Sequence, residues 1–551
     1  MPAQISKMTK LFTFCFGMTI LTACGGGGNS NPAPIIVTPP PPVSTGPTWT
    51  AGVFASEGQF KNRCEAPRTG NDPISGDPYP DIAGSTLHEN HWQRSWSNNT
   101  YLWYNEITDL DPAAYSDRLE YFETLKTSAT TSSGTPVDQF HFTIPTEEYQ
   151  QRVSSGAEIG YGFRTIILAS SVPRDIRISY TDPDTPASAP NADVKRGAKI
   201  LEIDGVDAIN DGTQAGVDAL NAGLSPENAG ETHSFTILDS GSSTPRTVSL
   251  TSEVVTSVPV NRTEIIPTST GNVGYILFNT FGTSIAEEQI VNAMADMSTQ
   301  NVNDLVIDLR YNGGGFLAIS AQLGYMVAGS ANTANKTFDS LTFNDKHPVF
   351  NPVTGSAISP TPFFDETLGF SLAEGQSLPS LNLNRVFILS TSRTCSASEA
   401  LINGLRGAGV DVILVGGRTC GKPYGFYATD NCGETYFTIQ FRGENDLGFG
   451  DYSDGFNPQN AVNPFGELIE GCLMADNYSQ QLGAPTEDLL AAALQYREDG
   501  TCPAVNTSAK TYEAPNLSKA SYEQGDLLSD PRIRQKLMLD TIRIENLPNA
   551  K

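Results

Sequence analysis

Four short apolar runs in the second half of the chain predict buried strands. The runs begin at Gly274, Val306, Val386 and Val412. Continuous apolar runs of this length are typical of parallel strands that are buried on both faces. Patterns with helical spacing alternate with them over residues 285–297, 400–405 and 484–496. Alternating strands and helices predict an α/β core.

The apolar run 385–389 leads into the helical pattern at 400–405, and Ser396 lies in the turn between them. A strand that turns sharply into a helix exposes the turn residue to the free amides at the start of the helix. A nucleophile and its oxyanion donors are expected in such a turn. Ser396 and Glu399 also fit a capping box, in which each side chain satisfies a free backbone amide. The local pattern leaves both interpretations of Ser396 open.

Two further stretches carry candidate chemistry. The glycines 313–315 follow the Val306 strand, and a loop without Cβ atoms lets backbone N–H groups approach a ligand closely. The Val412 strand is followed by Lys422. A lysine can activate a serine hydroxyl as a general base only when it is neutral, so its pKa must fall well below about 10.4. Burial in apolar surroundings shifts a lysine pKa in that direction.

These motifs, in this order, resemble peptidase family S41, the C-terminal processing or tail-specific proteases. The resemblance covers roughly residues 150–496 and rests on Asp308-Leu309-Arg310-x-Asn312-Gly313-Gly314-Gly315, Ser396-Ala397-Ser398-Glu399 and Gly421-Lys422. It implies a core with the crotonase/Clp-like ββα superhelix. It also implies that Ser396 is the nucleophile and Lys422 its general base, with oxyanion donors from Ala397 and from Gly314 or Gly315. Many members have an orienting Gln four residues after the Lys, where this chain has Phe426.

Residues 151–255 predict an inserted β-rich domain that resembles a PDZ domain. The resemblance rests on short alternating strands and on the pattern Arg196-Gly197-x-x-Ile200-x-x-Ile203-x-Gly205. The loop that would bind a peptide carboxylate by strand addition is Gly160, Tyr161, Gly162 and Phe163. The alternative is a β-rich spacer that binds no ligand.

The first residues predict export and lipid anchoring. The apolar stretch after Lys10 is too short to anchor stably in a bilayer, and Leu21-Thr22-Ala23-Cys24 resembles a bacterial lipobox. Acylation of Cys24 is implied, with ordinary secretion as the alternative. Gly25 is not the Asp that retains lipoproteins at the inner membrane, which favours the outer membrane of a bacterial cell envelope. The Gly- and Pro-rich stretch that follows predicts a tether.

The remaining chain is long enough for two or three domains, and its net charge of −27 argues against binding of nucleic acid. Aromatic residues at helical spacing after His88 predict a helical N-terminal domain. The predicted division is signal peptide 1–23, tether 24–47, helical N-terminal domain 48–150, PDZ-like domain 151–255, S41 peptidase core 256–500 and C-terminal tail 501–551.

Six of the eight cysteines remain after Cys15 leaves with the signal peptide and Cys24 carries lipid. An even number in an exported protein favours disulfides, although six cysteines allow fifteen pairings. The expected bridges are Cys395–Cys420, Cys432–Cys472 and Cys64–Cys502. Zinc is disfavoured because no C-x-x-C pair occurs, and neither a metal nor a cofactor is predicted.

Together these patterns predict a lipid-anchored serine endopeptidase that hydrolyses polypeptides through an acyl-enzyme. The PDZ-like domain is expected to select polypeptide ends. The alternative is a catalytically inactive, peptide-binding adaptor lipoprotein, which Phe426 keeps open. Another α/β-type hydrolase is disfavoured because no G-x-S-x-G turn occurs. The sequence leaves the physiological substrate and the oligomeric state open.

Overall fold

Strands and helices alternate along the chain as the apolar runs predict. The α-helices with described bounds are α1 (Thr86–Thr100), α2 (Arg118–Glu123), α3 (Thr146–Ser155), α4 (Gln214–Leu224), α5 (Ile285–Thr299), α6 (Leu317–Thr333), α7 (Ala397–Ala408) and α8 (Asp488–Asp499). Its strands are β1 (Arg63–Cys64), β2 (Ile82–Ala83), β3 (Phe142–Pro145), β4 (Ala157–Gly160), β5 (Phe163–Ala169), β6 (Asp175–Thr181), β7 (Lys199–Ile203), β8 (Val206–Asp207), β9 (Thr232–Leu238), β10 (Arg246–Thr251), β11 (Glu253–Thr256), β12 (Val260–Thr268), β13 (Gly271–Phe278), β14 (Asp304–Asp308), β15 (Gly315–Phe316), β16 (Thr337–Phe343), β17 (Thr361–Pro362), β18 (Arg385–Ser390), β19 (Asp411–Gly416), β20 (Tyr424–Gly425), β21 (Thr429–Asn431), β22 (Glu434–Phe437), β23 (Phe441–Glu444), β24 (Phe456–Pro458), β25 (Glu467–Ile469), β26 (Gly471–Leu473) and β27 (Arg543–Ile544).

The computed structural model describes residues 46–462, 464–504, 526–530, 533–534, 537–538 and 543–544. The predicted signal peptide, the predicted lipidation site Cys24 and most of the predicted tether lie outside these ranges. The described residues from Gly46 onward form one compact unit, and the predicted domain boundaries stay predictions. Within the described ranges, no helix has both the length and the apolar composition that crossing a bilayer requires.

A six-stranded sheet in the order β12-β13-β14-β18-β19-β26 forms the centre of the fold. All but the edge strand β12 run parallel, and the four predicted strands are among them. Neighbouring side chains of one strand face opposite sides of the sheet. Ile307 therefore packs into one apolar core with α5, α6 and α7, while Val306 packs into a second core with α8. The predicted α/β class is confirmed.

A separate sheet is inserted between α3 and the central sheet. Its strand order is β10-β9-β7-β6-β5. This sheet has an apolar core separate from that of the central sheet, and helix α4 packs on it. The short ribbon of β4 and β11 joins the two ends of this insert, because Gly160 pairs with Glu253. We call residues 157–256 the inserted sheet domain.

The N-terminal helices pack directly on the rest of the chain. Trp92 of α1 is fully buried against Tyr436 of β22, and Gln93 donates to the Tyr436 hydroxyl at 3.1 Å. Strand β3 pairs with β22 as well. Within residues 113–127 only the short helix α2 is α-helical.

The three disulfides correct two of the predicted pairings. Cys395–Cys420 is present as expected, but the other bridges are Cys64–Cys432 and Cys472–Cys502. The Asn62 amide donates to the Asn431 side chain at 2.7 Å. The chain before α1 therefore lies against the β21–β22 turn, where Cys432 is. Cys472 lies on edge strand β26, which α8 covers, so the chain leaving α8 passes beside it. The expected pairs Cys432–Cys472 and Cys64–Cys502 are therefore wrong.

Asp182, directly after β6, gives the protein a testable pH dependence. Burial raises the pKa of its carboxyl to about 6, and Asn261 donates to it at 2.9 Å. The unfolded chain loses this proton near pH 4, whereas the folded chain keeps it up to about pH 6. The free energy of unfolding therefore falls as the pH rises from about 4 to above 6. We expect Asp182→Asn to raise that free energy by about 2–3 kcal/mol at pH 8 and to leave it unchanged at pH 4.

Denaturant unfolding at both pH values measures this difference. The exposed Asp184→Asn variant removes the same formal charge two residues away and should unfold like the wild type at both. An equal gain in the two variants would show that net charge, not burial of Asp182, causes the effect.

Candidate active site

Ser396 lies at the turn between β18 and α7, where the sequence predicts it. Its φ of 62° and ψ of −113° place it in a region that non-glycine residues rarely adopt, and such strain is concentrated at functional sites. The turn is fixed from below, because the Cys395 amide and the Ser398 hydroxyl both donate to the Asn312 carbonyl. Ser396 is fully buried, and its Oγ has no hydrogen-bond partner among the described residues.

Glu399 brings the two candidate catalytic residues together. One oxygen of its buried carboxylate accepts the Ser396 amide at 2.9 Å and the Lys422 amide at 2.8 Å. The other accepts the Gly421 amide at 2.8 Å and the Thr419 hydroxyl at 2.6 Å. Of the two capping-box bonds, the one from the Ser396 amide to Glu399 is present, and the same carboxylate also accepts the Lys422 amide, so it spans both candidate segments. Burial raises the pKa of this carboxyl, and the four hydrogen bonds oppose the increase.

The Cys395–Cys420 bridge joins the same two segments covalently. It connects the residue before Ser396 to the loop that carries Lys422. The described residues bring Cys395, Cys420 and Glu399 close enough to suggest a cation site, but the two sulfurs are bonded to each other.

Removal of this bridge should reduce activity as well as stability. Cys395–Cys420 and Cys472–Cys502 close loops of similar size, with sequence separations of 25 and 30. Replacing either pair by serines should therefore lower the free energy of unfolding by a similar amount, about 3–4 kcal/mol.

Only the Cys395→Ser/Cys420→Ser variant is expected to lose turnover at a temperature where both variants are folded. The measurement is kcat for casein hydrolysis next to the unfolding midpoint. Equal losses of kcat in the two variants would mean that the Cys395–Cys420 bridge serves stability alone.

Lys422 is fully buried between aromatic rings. Its Nζ lies 4.3 Å from the ring centroid of Phe140 and 4.3 Å from that of Phe426. Phe426, at the position of the family's orienting Gln, thus covers the amine with an apolar face. Dry surroundings of this kind favour a neutral amine, whereas ring faces favour the cation.

Asp138 is a candidate functional residue that the sequence analysis missed. It is buried next to the Lys422 pocket and accepts hydrogen bonds from the Tyr101 hydroxyl at 2.7 Å and the Phe140 amide at 3.0 Å. Burial raises the pKa of Asp138, while the hydrogen bonds from Tyr101 and Phe140 and the charges of Lys126 and Lys422 act in the opposite direction. No pattern near residue 138 signals this role, because residues 138 and 422 are almost 300 positions apart in the chain.

The glycine loop after β14 approaches the Ser396 turn and contains the predicted oxyanion donors. Gly315 has a φ of 134°, and a Cβ there would lie 2.2 Å from the Gly282 nitrogen, so only glycine fits. The Gly314 amide donates to the Asn312 side chain at 2.9 Å. Of the predicted donors, Gly314 is therefore already engaged, which leaves the amides of Ala397 and Gly315.

A buried ionic cluster supports this loop. Arg310 binds Asp308, Asp476 and Glu487, and all four side chains are almost completely buried. Burial alone would raise the pKa of Asp476, but the charges of Arg196 and Arg310 outweigh it and lower that pKa to about 2. Asp476 thus stays ionised, and the ion pairs of Arg310 fix the backbone that leads into the glycine loop.

A cavity of about 160 Å³ lies between the inserted sheet domain and the central core. Phe163 and Leu224 line it from the insert, and Gly282, Tyr311 and Arg393 line it from the core. Neither Ser396 nor Lys422 is among its lining residues. The cavity instead leads from the insert towards the glycine loop, which Gly282 contacts.

The predicted peptide-binding loop lies beside this cavity. Phe163 lines it, whereas Tyr161 is buried and donates its hydroxyl to the Gly223 carbonyl at 3.1 Å. Gly162 has a φ of 84°, and a Cβ there would collide with Thr185. Gly160 ends β4 and pairs with β11. Binding of a peptide end by this loop stays a prediction.

The sequence profile of peptidase family S41 matches residues 272–425. The chain contains a peptidase family S41 domain. The matched range holds the glycine loop, the Ser396 turn and Lys422, so the residues that Glu399 brings together all lie inside the S41 domain.

Comparisons with individual proteins agree with this family. A "Carboxyl-terminal-processing protease" of Picosynechococcus sp. is 28% identical over 240 residues, which are 44% of this chain and 49% of that protein. The chain thus spans about half the length of this relative. A structure named as an S41 protease, from Bacteroides fragilis NCTC 9343, has a TM-score of 0.55 at 24% identity and covers 77% of this chain and 98% of its own.

This second comparison shows the fold of the S41 domain and its surroundings. A structure of the photosystem II D1 C-terminal processing protease is more distant, with a TM-score of 0.39 at 18% identity, and covers 70% of this chain and 94% of its own.

Proposed function

We propose that this chain is a serine endopeptidase that hydrolyses polypeptides through Ser396 and Lys422. The observation that carries the proposal is the shared carboxylate of Glu399, which holds the backbone of both residues beside the glycine loop. A strained, buried serine whose Oγ has no partner is free to form a bond to substrate.

The reaction proceeds in two steps. Ser396 Oγ attacks the peptide carbonyl, Lys422 takes the hydroxyl proton, and the amides of Ala397 and Gly315 stabilise the developing oxyanion. Lys422 then gives the proton to the leaving amine, and an acyl-enzyme on Ser396 remains. Water, deprotonated by Lys422, attacks this ester and releases the second product together with free Ser396.

Asp138 takes the orienting role that a Gln has in many family members. The Phe426 side chain offers no hydrogen bond at that position, whereas the charge of Lys422 acts on the Asp138 carboxyl, and the Phe140 ring lies over the Lys422 amine. Because the Tyr101 hydroxyl and the Phe140 amide fix this carboxylate, Asp138 can position the amine without moving.

Residues 151–255 are proposed to act as a PDZ-like domain that selects polypeptide ends, on a core with the crotonase-like superhelix. The name of the Picosynechococcus relative, a carboxyl-terminal-processing protease, supports action near the carboxyl end of a polypeptide. The cavity between this domain and the glycine loop gives such an end a route to the site. Acylation of Cys24 would hold the enzyme at the outer membrane of a bacterial cell envelope, with the tether as spacer.

A fluorophosphonate probe tests the function in one step, because it modifies only an activated serine. We expect peptide mapping by mass spectrometry to find a single phosphonylated residue, Ser396, in the full chain. The inactive adaptor, which Phe426 favours, predicts that a peptide binds but that no serine is labelled and no casein is cleaved. Labelling of a serine outside the 390–400 turn would contradict the assigned nucleophile.

A further inference from the structure

The C-terminal segment, described at residues 526–530, 533–534, 537–538 and 543–544, begins on the inserted sheet domain. The Leu527 amide donates to the Ser170 carbonyl at 3.3 Å, and Asn221 of α4 donates to the Leu527 carbonyl at 3.1 Å. The hydroxyls of Ser170 and Ser171 donate to Asp526 at 2.9 and 2.8 Å. Residues 526–527 are therefore hydrogen-bonded to the inserted sheet domain at two places, the end of β5 and helix α4.

The next side chains fill apolar space on the same route. Leu527 and Leu528 are fully buried in the core of the inserted sheet domain, together with Ile533. Ile533 and Leu537 line the cavity that leads towards the glycine loop. Met538 is already part of the apolar core of the S41 domain. The described residues 527–538 thus lie first in the insert, then at the cavity and then in the core of the S41 domain.

The last described residues of the segment lie beside the candidate active site. Strand β27 pairs in parallel with β15, with Arg543 opposite Gly315 and Ile544 opposite Phe316. It also lies against β20, which follows Lys422 in the chain. The backbone of residues 543–544 therefore lies beside both the glycine loop and the Lys422 loop, in a structure where Ser396 and Lys422 are completely buried.

We propose that the C-terminal segment is a built-in occupant of the polypeptide channel, which a substrate must displace before Ser396 can react. The proposal rests on the proposed function, since it assigns an occupant to that same site. An extended peptide binds an enzyme most readily by adding a strand to a free edge, and the edge next to the oxyanion donor is β15. The edge accepts one strand at a time, so β27 and an extended substrate exclude each other.

The covalent connection makes this competition effective. A segment held in the same chain acts at an effective concentration in the millimolar range, so even weak pairing at β15 keeps the site occupied. The substrate class that follows is an unfolded or extended polypeptide, because only a chain with free backbone N–H and C=O groups can replace β27. A folded domain would offer no such strand.

Proline substitution tests the pairing while leaving Leu527 and Leu528 in place. Arg543→Pro/Ile544→Pro removes the backbone N–H groups of both strand residues, including the one that faces β15, and Arg543→Ala/Ile544→Ala keeps them. In the full chain, we expect the proline pair to lower KM for an unstructured peptide substrate by at least ~5-fold, because the competing state is removed. The alanine pair should keep the wild-type KM, and equal KM values in all three proteins would overturn the proposal.

A binding measurement separates failure of this inference from failure of the proposed function. A fluorescent peptide with the sequence of residues 533–551 is titrated into full chains that all carry Ser396→Ala. We expect the proline pair to bind the peptide at least ~5-fold more tightly than the alanine pair, since its channel is vacant. If the proteins with Ser396 intact do not hydrolyse peptides but the proline pair binds the peptide more tightly, the C-terminal segment occupies a groove that is not catalytic. Equal affinities beside normal hydrolysis would refute the occupant and leave the peptidase intact.

Discussion

Ser396→Ala is expected to abolish peptide hydrolysis, and Lys422→Met is expected to do the same. Removal of either member of a unit that acts together lowers kcat by at least ~10³-fold. The Ser396 hydroxyl has no hydrogen-bond partner in the described part of the chain, so its loss should leave the free energy of unfolding almost unchanged. Methionine keeps the apolar stem of Lys422 between Phe140 and Phe426 and removes only the amine.

The matched control is Ser398→Ala, which removes a buried hydroxyl two residues away. That hydroxyl donates to the Asn312 carbonyl at 2.9 Å, so its loss should cost about 1 kcal/mol of stability and leave most of kcat. The Ser396→Ala/Lys422→Met double variant should be no less active than either single variant, because both residues serve one reaction step. Full activity in Ser396→Ala would reject the mechanism, and additive losses would reject the dyad.

The sequence predicts the central sheet and the position of the candidate site well, for a local physical reason. Parallel strands buried on both faces need continuous apolar runs, and β14, β18 and β19 show them. The turns that follow such strands lie at one edge of the sheet. The glycine loop, Ser396 and Lys422 each follow one of these strands, so their convergence could be expected before any distance was known.

Contacts between distant segments could not be predicted in this way. The pairing of Cys64 with Cys432 depends on where the N-terminal residues meet the β21–β22 turn, and nothing near either cysteine encodes that meeting. The same holds for Asp138 beside Lys422. The capping-box pattern at Glu399 shows its bond to Ser396 but not its bonds to the loop that carries Lys422. Strand β27 is two residues long and has no pattern of its own.

Glu399→Gln should inactivate the protein although it changes only one atom of the side chain. The carboxylate accepts four hydrogen bonds, two at each oxygen, and every partner is a donor. The amide nitrogen of Gln is itself a donor, so it would face either the Ser396 and Lys422 amides or the Gly421 amide and the Thr419 hydroxyl. A buried charged acceptor lost in this way costs about 3 kcal/mol of stability. The two catalytic segments would also move apart, and a displacement of about 1 Å costs on the order of 100-fold in kcat.

Glu287→Gln is the control that separates these two effects. Glu287 is also fully buried and accepts hydrogen bonds from the Leu368, Ser371 and Leu372 amides and from Gln322, at 2.7–3.2 Å. Its loss of stability should match that of Glu399→Gln, but its partners belong to neither catalytic segment. We therefore expect the two variants to have similar unfolding midpoints and kcat values that differ by at least ~50-fold, measured well below both midpoints. Similar kcat values in the two would mean that the Glu399 carboxylate stabilises the fold without aligning Ser396 and Lys422.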